Sequence, residues 1–190
     1  MKKLILACLL LTIGVANAAL QEGDVAPEFK TRASLAGKDF DWSLQESLKK
    51  GPVVLYFYPS AYTGGCNIQA HDFAVKHDRF VAAGASVVGI SLDSIERLNE
   101  FSADPDYCAG KFPVASDPEG RIAQSFELSI REAQPGRKDS RGVEIDHGFA
   151  ERTTFIITPD GKVAATIGGL SPSENVQAAL DAVQKLTKGN

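Results

Sequence analysis

The sequence predicts an α/β domain in which a central mixed β-sheet carries helices on both faces. Three observations carry that reading. Residues 52–58 (PVVLYFY) are a continuous β-prone apolar run, as in a strand buried on both faces. Residues 86–92 (SVVGISL) form a second such run, and the stretch between the two has helical periodicity, so the pair implies a parallel crossover. Residues 153–158, the turn Pro159-Asp160-Gly161 and residues 162–167 read as a hairpin that adds antiparallel strands.

Taken in order, residues 1–18 read as a secretory signal peptide. Lys2 and Lys3 precede an apolar run over 4–15, and Ala16-Asn17-Ala18 supplies the small residues that a signal peptidase reads. That run falls short of the roughly 20 residues a membrane-crossing helix needs. A buried N-terminal helix, or lipidation at Cys8, fits less well, because most of the apolar run follows that cysteine. The expected mature chain is a single domain over 19–190, exported to a bacterial periplasm, with Cys66 and Cys108 left in an oxidising compartment.

Residues 19–50 read as an irregular opening, with a hairpin turning at Gly37-Lys38 and a short helix near 44–48. Residues 66–83 predict a helix: Ala70, Phe73, Ala74, His77, Phe80 and Val81 recur at three- and four-residue steps, and Gly84 closes it. Ser94 caps a helix carrying Ile95, Leu98 and Phe101. Asp117-Pro118 reads as an N-cap with proline at the first helical position, opening a helix with Ile122 and Phe126. Residues 129–150 are a polar connection rich in Arg and Asp, longer than loops run without a task. Ser171, Pro172 and Glu174 form a capping box, followed by an apolar stripe of Val176, Ala179, Leu180, Val183 and Leu186.

Composition narrows the function. The chain has 190 residues, 44% of them hydrophobic, enough for one core. Its 17 glycines and 9 prolines exclude a collagen-like or low-complexity chain. Twenty basic against 24 acidic residues give a net charge of -4, which argues against nucleic acid or an anionic membrane as partner. Three cysteines are too few for a disulfide scaffold.

The chemistry converges on Cys66. It follows the loop Pro59-Ser60-Ala61-Tyr62-Thr63-Gly64-Gly65 and opens a helix, where backbone N–H groups and the helix dipole favour a thiolate. Thr63 can turn its hydroxyl towards the sulfur or a bound oxygen, Gly64 and Gly65 allow close backbone approach, and Pro59 fixes the strand exit. A buried, inert thiol is the bland reading of the same residue. Arg152, at the entry to a strand, is a candidate donor to that thiolate or, more plainly, a solvated surface charge.

Pro59, Thr63 and Cys66 match the P-x-x-x-T-x-x-C motif of peroxiredoxins, and the chain resembles that family. VVLYFYP, SDPEGRIAQSF and RTTFIITPDGKV look like its corresponding segments, in the right order over roughly 24–185, and the pattern is most similar to the bacterioferritin comigratory (Q-type) branch. The resemblance implies a thioredoxin-like fold. It also implies a thiol peroxidase in which Cys66 is the peroxidatic cysteine, Thr63 its hydrogen-bonding hydroxyl, Pro59 the pocket shield and Arg152 the arginine beside the thiolate. The thiolate would attack a peroxide oxygen and become a sulfenic acid.

Where many Q-type relatives carry a resolving cysteine, this chain has His71, which leaves Cys108 as the candidate. Three readings of Cys108 stay open: resolution by a mobile 104–107 loop, an inert thiol, or a permanent Cys66–Cys108 disulfide. His71, Asp72, His77 and His147 give a weak metal signal, with His77 expected in the core, and no metal or organic cofactor is indicated. Trp42 and Phe40 read as core or pocket wall. The expected partners are a peroxide and a periplasmic thioredoxin-like reductant, with a monomer or homodimer as the assembly. The competing activities are a thiol-disulfide oxidoreductase, which needs a cysteine at Gln69, and a copper-binding assembly factor, which needs one at Ala70. A non-catalytic redoxin partner is disfavoured by the joint presence of Pro59, Thr63, Cys66 and Arg152.

Overall fold

The computed structural model describes residues 19–188; the expected signal peptide lies outside the described residues. β1 (Lys30–Leu35) and β2 (Lys38–Ser43) form a hairpin. Its turn is Ala36-Gly37, one residue earlier than expected, and both residues are left-handed at φ 51° and 80°, as a twisted two-residue turn demands. Ser43 then caps α1 (Leu44–Leu48). β3 (Val53–Phe57), α2 (Gly64–Ala82), β4 (Ser86–Ser91), α3 (Ile95–Ala103) and β5 (Val114–Ser116) make two successive crossovers. α4 (Arg121–Ser125) follows, and the short β6 (Ile130–Arg131) and β7 (Phe149–Ala150) pair across the polar connection. β8 (Thr153–Ile157) and β9 (Val163–Gly168) are the closing hairpin, and α5 (Pro172–Lys188) ends the described chain.

Seven strands form one sheet in the order β2-β1-β5-β4-β3-β8-β9. β3, β4 and β5 run parallel, whereas β8 and β1 join them antiparallel, so the mixed sheet is as predicted. Alternate side chains of the central strands divide between two cores. Val54, Tyr56, Tyr58, Val87 and Ile156 pack with Phe73 and Phe80 of α2, Phe101 of α3 and Leu180 of α5. Val53, Leu55, Phe57, Ile90 and Phe155 pack on the other face with Leu44, Ile122, Phe126 and Trp42. Tyr56 stands opposite Gly89, where a Cβ would lie 2.5 Å from the phenol ring, so only glycine leaves room for it. Phe40 is partly exposed at the sheet edge.

Several elements differ from expectation for local reasons. β5 was not apparent from three residues of sequence; it forms because β1 and β4 flank it on both sides. Asp117 caps α4 from outside, its carboxylate accepting the N–H groups of Ile122 and Ala123 at 3.1 and 2.9 Å. Pro118 therefore lies in the turn, and left-handed Gly120 (φ 68°) occupies the N-cap position. Gly84 closes α2 as expected, at φ 74°. His77 is not in the core but half-buried, with Nδ1 3.4 Å from the exposed Asp78 carboxylate, and Val81 faces out.

Candidate active site

The loop from β3 to α2 brings the sequence-predicted residues together. Thr63 is the extended N-cap residue and α2 starts at Gly64, two residues ahead of the predicted start, which places Cys66 in the first helical turn. There the backbone N–H groups have no partner within the helix and the dipole is positive. Cys66 is 2% exposed, and its Sγ accepts a hydrogen bond from Arg152 Nη2 at 3.4 Å. The Thr63 hydroxyl does not cap the helix or donate to the sulfur. It donates to the Ser60 carbonyl at 2.8 Å, so its remaining capacity is as an acceptor. Pro59 and Arg152 line a pocket of about 410 Å³, with Arg131 and Phe149 on its walls.

Arg152 is held by residues the sequence reading had assigned no role. Its Nη1 donates to the Gln69 amide oxygen, one turn beyond Cys66 on α2. Gln69 Nε2 donates to Asn175 Oδ1 of α5 at 3.0 Å, which also accepts from Thr154 Oγ1 at 2.6 Å. Asn175 Nδ2 in turn donates to the Ile167 carbonyl at 2.9 Å. Gln69, Asn175 and Thr154 are fully buried, so the guanidinium is aimed by satisfied polar groups on α2, β8, β9 and α5. Gly65 completes the fit: a Cβ there would stand 3.1 Å from Arg152 Nη2 and 3.3 Å from Pro172 Cγ. A glutamine one helical turn beyond Cys66 was the available sequence signal.

A second polar group supports the loop from behind. Asp93, fully buried at the end of β4, accepts from the Ala61 N–H (2.8 Å) and the hydroxyls of Ser91 (2.7 Å) and Ser60 (2.9 Å). His147 Nε2 and Arg97 Nε each lie 2.8 Å from the same carboxylate. Burial opposes ionisation of Asp93, but the hydrogen bonds and charge of His147, with those from Ser91 and Ala61, outweigh it and hold the carboxyl below its usual range. Burial likewise lowers His147, yet the Asp93 bond and charge win and the imidazole is raised overall.

Cys108 is fully buried in the turn after α3, and both it and Cys66 are free thiols. Burial pushes the Cys108 thiol well up. The 104–111 turn is not loose: the N–H groups of Ala109, Gly110 and Lys111 are bonded to Asp104, Ser102 and Cys108, and His71 Nδ1 lies 3.0 Å from the Asp106 carbonyl. Among the described residues no three His, Cys, Asp or Glu side chains gather as a metal site.

Residues 23–166 match the AhpC/TSA family. The peroxiredoxin Bcp of Escherichia coli K12 is 30% identical over 162 residues, which is 85% of this chain and 94% of that protein. The peroxidoxin BcpB of Mycobacterium tuberculosis superimposes with a TM-score of 0.73 at 28% identity, over 88% of this chain and 98% of that one. The bacterioferritin comigratory protein of Xanthomonas campestris, studied for alkyl peroxide reduction, superimposes at 0.67 with 26% identity, over 90% of this chain and 99% of that one. With a thioredoxin-fold sheet that leads into a helix headed by a cysteine beside an arginine, the chain belongs to the AhpC/TSA family and is a thiol-dependent peroxidase of the Bcp (Q-type) peroxiredoxins.

Proposed function

We propose that Cys66 is the peroxidatic nucleophile and that Thr63, Arg152 and Pro59 form its site. The carrying observation is the Arg152 Nη2 to Cys66 Sγ contact of 3.4 Å at the head of α2. The Cys66 thiolate attacks the terminal oxygen of a hydroperoxide as the O–O bond breaks. The sulfur keeps that oxygen as a sulfenic acid, and the departing alkoxide or hydroxide takes up a proton. With its own proton committed to Ser60, the Thr63 oxygen accepts the O–H of the incoming peroxide. Arg152 and the N–H groups of the first turn of α2 are fixed donors for the charge that develops on the leaving oxygen. The pocket beside Pro59 has room for the organic part of an alkyl hydroperoxide, in line with the activity of the Xanthomonas relative.

Cys108 then resolves the sulfenic acid: its thiol displaces water and forms a Cys66–Cys108 disulfide, which a dithiol reductant returns to two thiols. A buried, protonated Cys108 cannot attack in place, so the 104–111 turn opens first. The signal-like residues 1–18 support a reading in which this cycle runs in the periplasm, with a thioredoxin-like reductant there and a monomeric or homodimeric enzyme. Gln69 and Ala70 stand where a disulfide oxidoreductase or a copper carrier of this fold needs cysteine.

The test is trapping by mass spectrometry after one equivalent of peroxide. We expect a dimedone adduct on Cys66 in Cys108→Ser and a Cys66–Cys108 disulfide in the parent. An adduct confined to Cys108, or two unmodified thiols, would overturn the assignment.

A further inference from the structure

We propose that His147, as a doubly protonated imidazolium, is a positioning residue that clamps the Pro59–Gly65 loop in its peroxide-accepting conformation. This rests on the assignment of Thr63 and Cys66 above. Three parts of the chain converge on that loop. Tyr62 is left-handed at φ 59°, a conformation that a bulky residue keeps only when its surroundings dictate it. The polar connection supplies part of that restraint: Ser140 N–H donates to the Tyr62 carbonyl at 2.8 Å, and the Arg141 guanidinium lies 3.3 Å from the Tyr62 ring centroid. The Ala61 peptide is gripped on both sides, its N–H by Asp93 at 2.8 Å and its carbonyl by Arg97 Nη2 at 2.9 Å. Arg97 Nη2 also pairs with buried Asp139 at 2.8 Å, which ties the connection to α3.

His147 closes this arrangement. Its Nε2 lies 2.8 Å from Asp93 Oδ1 and its Nδ1 2.7 Å from the Gly148 carbonyl. Both partners are acceptors, so both ring nitrogens must carry protons for both bonds to exist. The charged groups facing the ring are Asp93, from the β4–α3 junction, and Arg97, from α3; Ser60 Oγ faces it at 3.4 Å from the loop itself. Asp93 binds the Ser60 hydroxyl, and the Ser60 carbonyl receives the Thr63 hydroxyl proton. An imidazolium from the 129–150 connection thereby fixes the orientation of the oxygen that accepts the peroxide. Deprotonation turns the Nδ1 bond to the Gly148 carbonyl into a contact between acceptors and removes the positive charge beside Asp93, which loosens the carboxylate that holds Ser60 and Ala61.

The clamp acts on the peroxide, not on the sulfur. The measured quantity is therefore the ratio of the peroxide rate to the rate of Cys66 alkylation by iodoacetamide, in which the thiolate fraction cancels. We expect His147→Ala to lower this ratio about tenfold to 100-fold, the cost of a small misplacement at a reacting centre. In the wild type the ratio should fall as pH rises through the His147 titration followed by NMR. In His147→Gln, a neutral donor to Asp93 with no proton to lose, it should be independent of pH and lie near the high-pH value of the wild type. A wild-type ratio that is flat across the imidazole titration overturns the proposal whether or not the alanine variant folds. So does an alanine variant whose two rates fall together. Failure of the Cys66 assignment would show separately, as peroxide reactivity that survives in Cys66→Ser.

Discussion

At Gly65 a side chain would crowd the guanidinium that faces Cys66. A methyl group there would press on Arg152 Nη2 at 3.1 Å and on Pro172 at 3.3 Å, while the helical backbone at that position would accept alanine without strain. Gly65→Ala should therefore fold normally and slow the peroxide reaction about tenfold or more by moving the guanidinium off the sulfur. Stopped-flow kinetics beside a thermal melt checks this; an unchanged rate would mean that a methyl group at 65 does not displace the guanidinium.

The His147–Asp93 pair has a signature in stability as well. The raised folded pKa of His147 makes its contribution complete below the ordinary value of 6.5, and that contribution is lost as pH rises through the folded value. The lowered Asp93 contributes above its ordinary 3.8 and is lost as pH falls through its folded value. Melting curves across pH should thus show the wild type's advantage over His147→Ala greatest between about 4 and 6.5 and shrinking towards the alkaline side. An advantage that grows with pH would contradict the charged pair.

Among the elements, α5 contributes more than a packing face. Asn175 is the node through which Gln69, Thr154 and the Ile167 carbonyl meet, so Asn175→Ala strands buried partners on three other elements. We expect a loss of about 1–3 kcal/mol in chemical denaturation. The peroxide rate should fall alongside it, because Gln69 would no longer hold Arg152. Most elements were legible in the sequence because their signals are local: apolar runs for β3 and β4, a turn for the closing hairpin, a capping box for α5. What was not legible depends on partners distant along the chain. Asp93 joins Ala61 across 32 positions and His147 across 54, far beyond the reach of local periodicity. Likewise Asp117 was recognised as a cap, but its reach across Pro118 to the N–H groups of Ile122 and Ala123 belongs to the folded turn.

For the whole molecule, the proposed role of Cys108 implies a local opening of an otherwise well-bonded fold. Cys108 is fully buried and its turn is hydrogen-bonded at successive residues, so if it resolves Cys66 as proposed, disulfide formation should be limited by opening of 104–111. Oxidation of Cys66 should accelerate with peroxide concentration, while disulfide formation should reach a plateau set by that opening. Intrinsic fluorescence and rapid acid-quench mapping would resolve the two phases, and a disulfide phase that rises with peroxide without limit would contradict a buried resolving thiol. The sequence located both cysteines but not this constraint, since burial of residue 108 comes from a core shared by α2, α3 and α5.

The central claim is that one thiolate, Cys66 beside Arg152, performs the peroxide chemistry. Its most direct test is the single-turnover rate of hydrogen peroxide consumption by the reduced protein, wild type against Cys66→Ser and Cys108→Ser. The account predicts that the rapid first turnover disappears in Cys66→Ser and persists in Cys108→Ser. A Cys66→Ser protein that still consumed an equivalent of peroxide at the wild-type rate would contradict it.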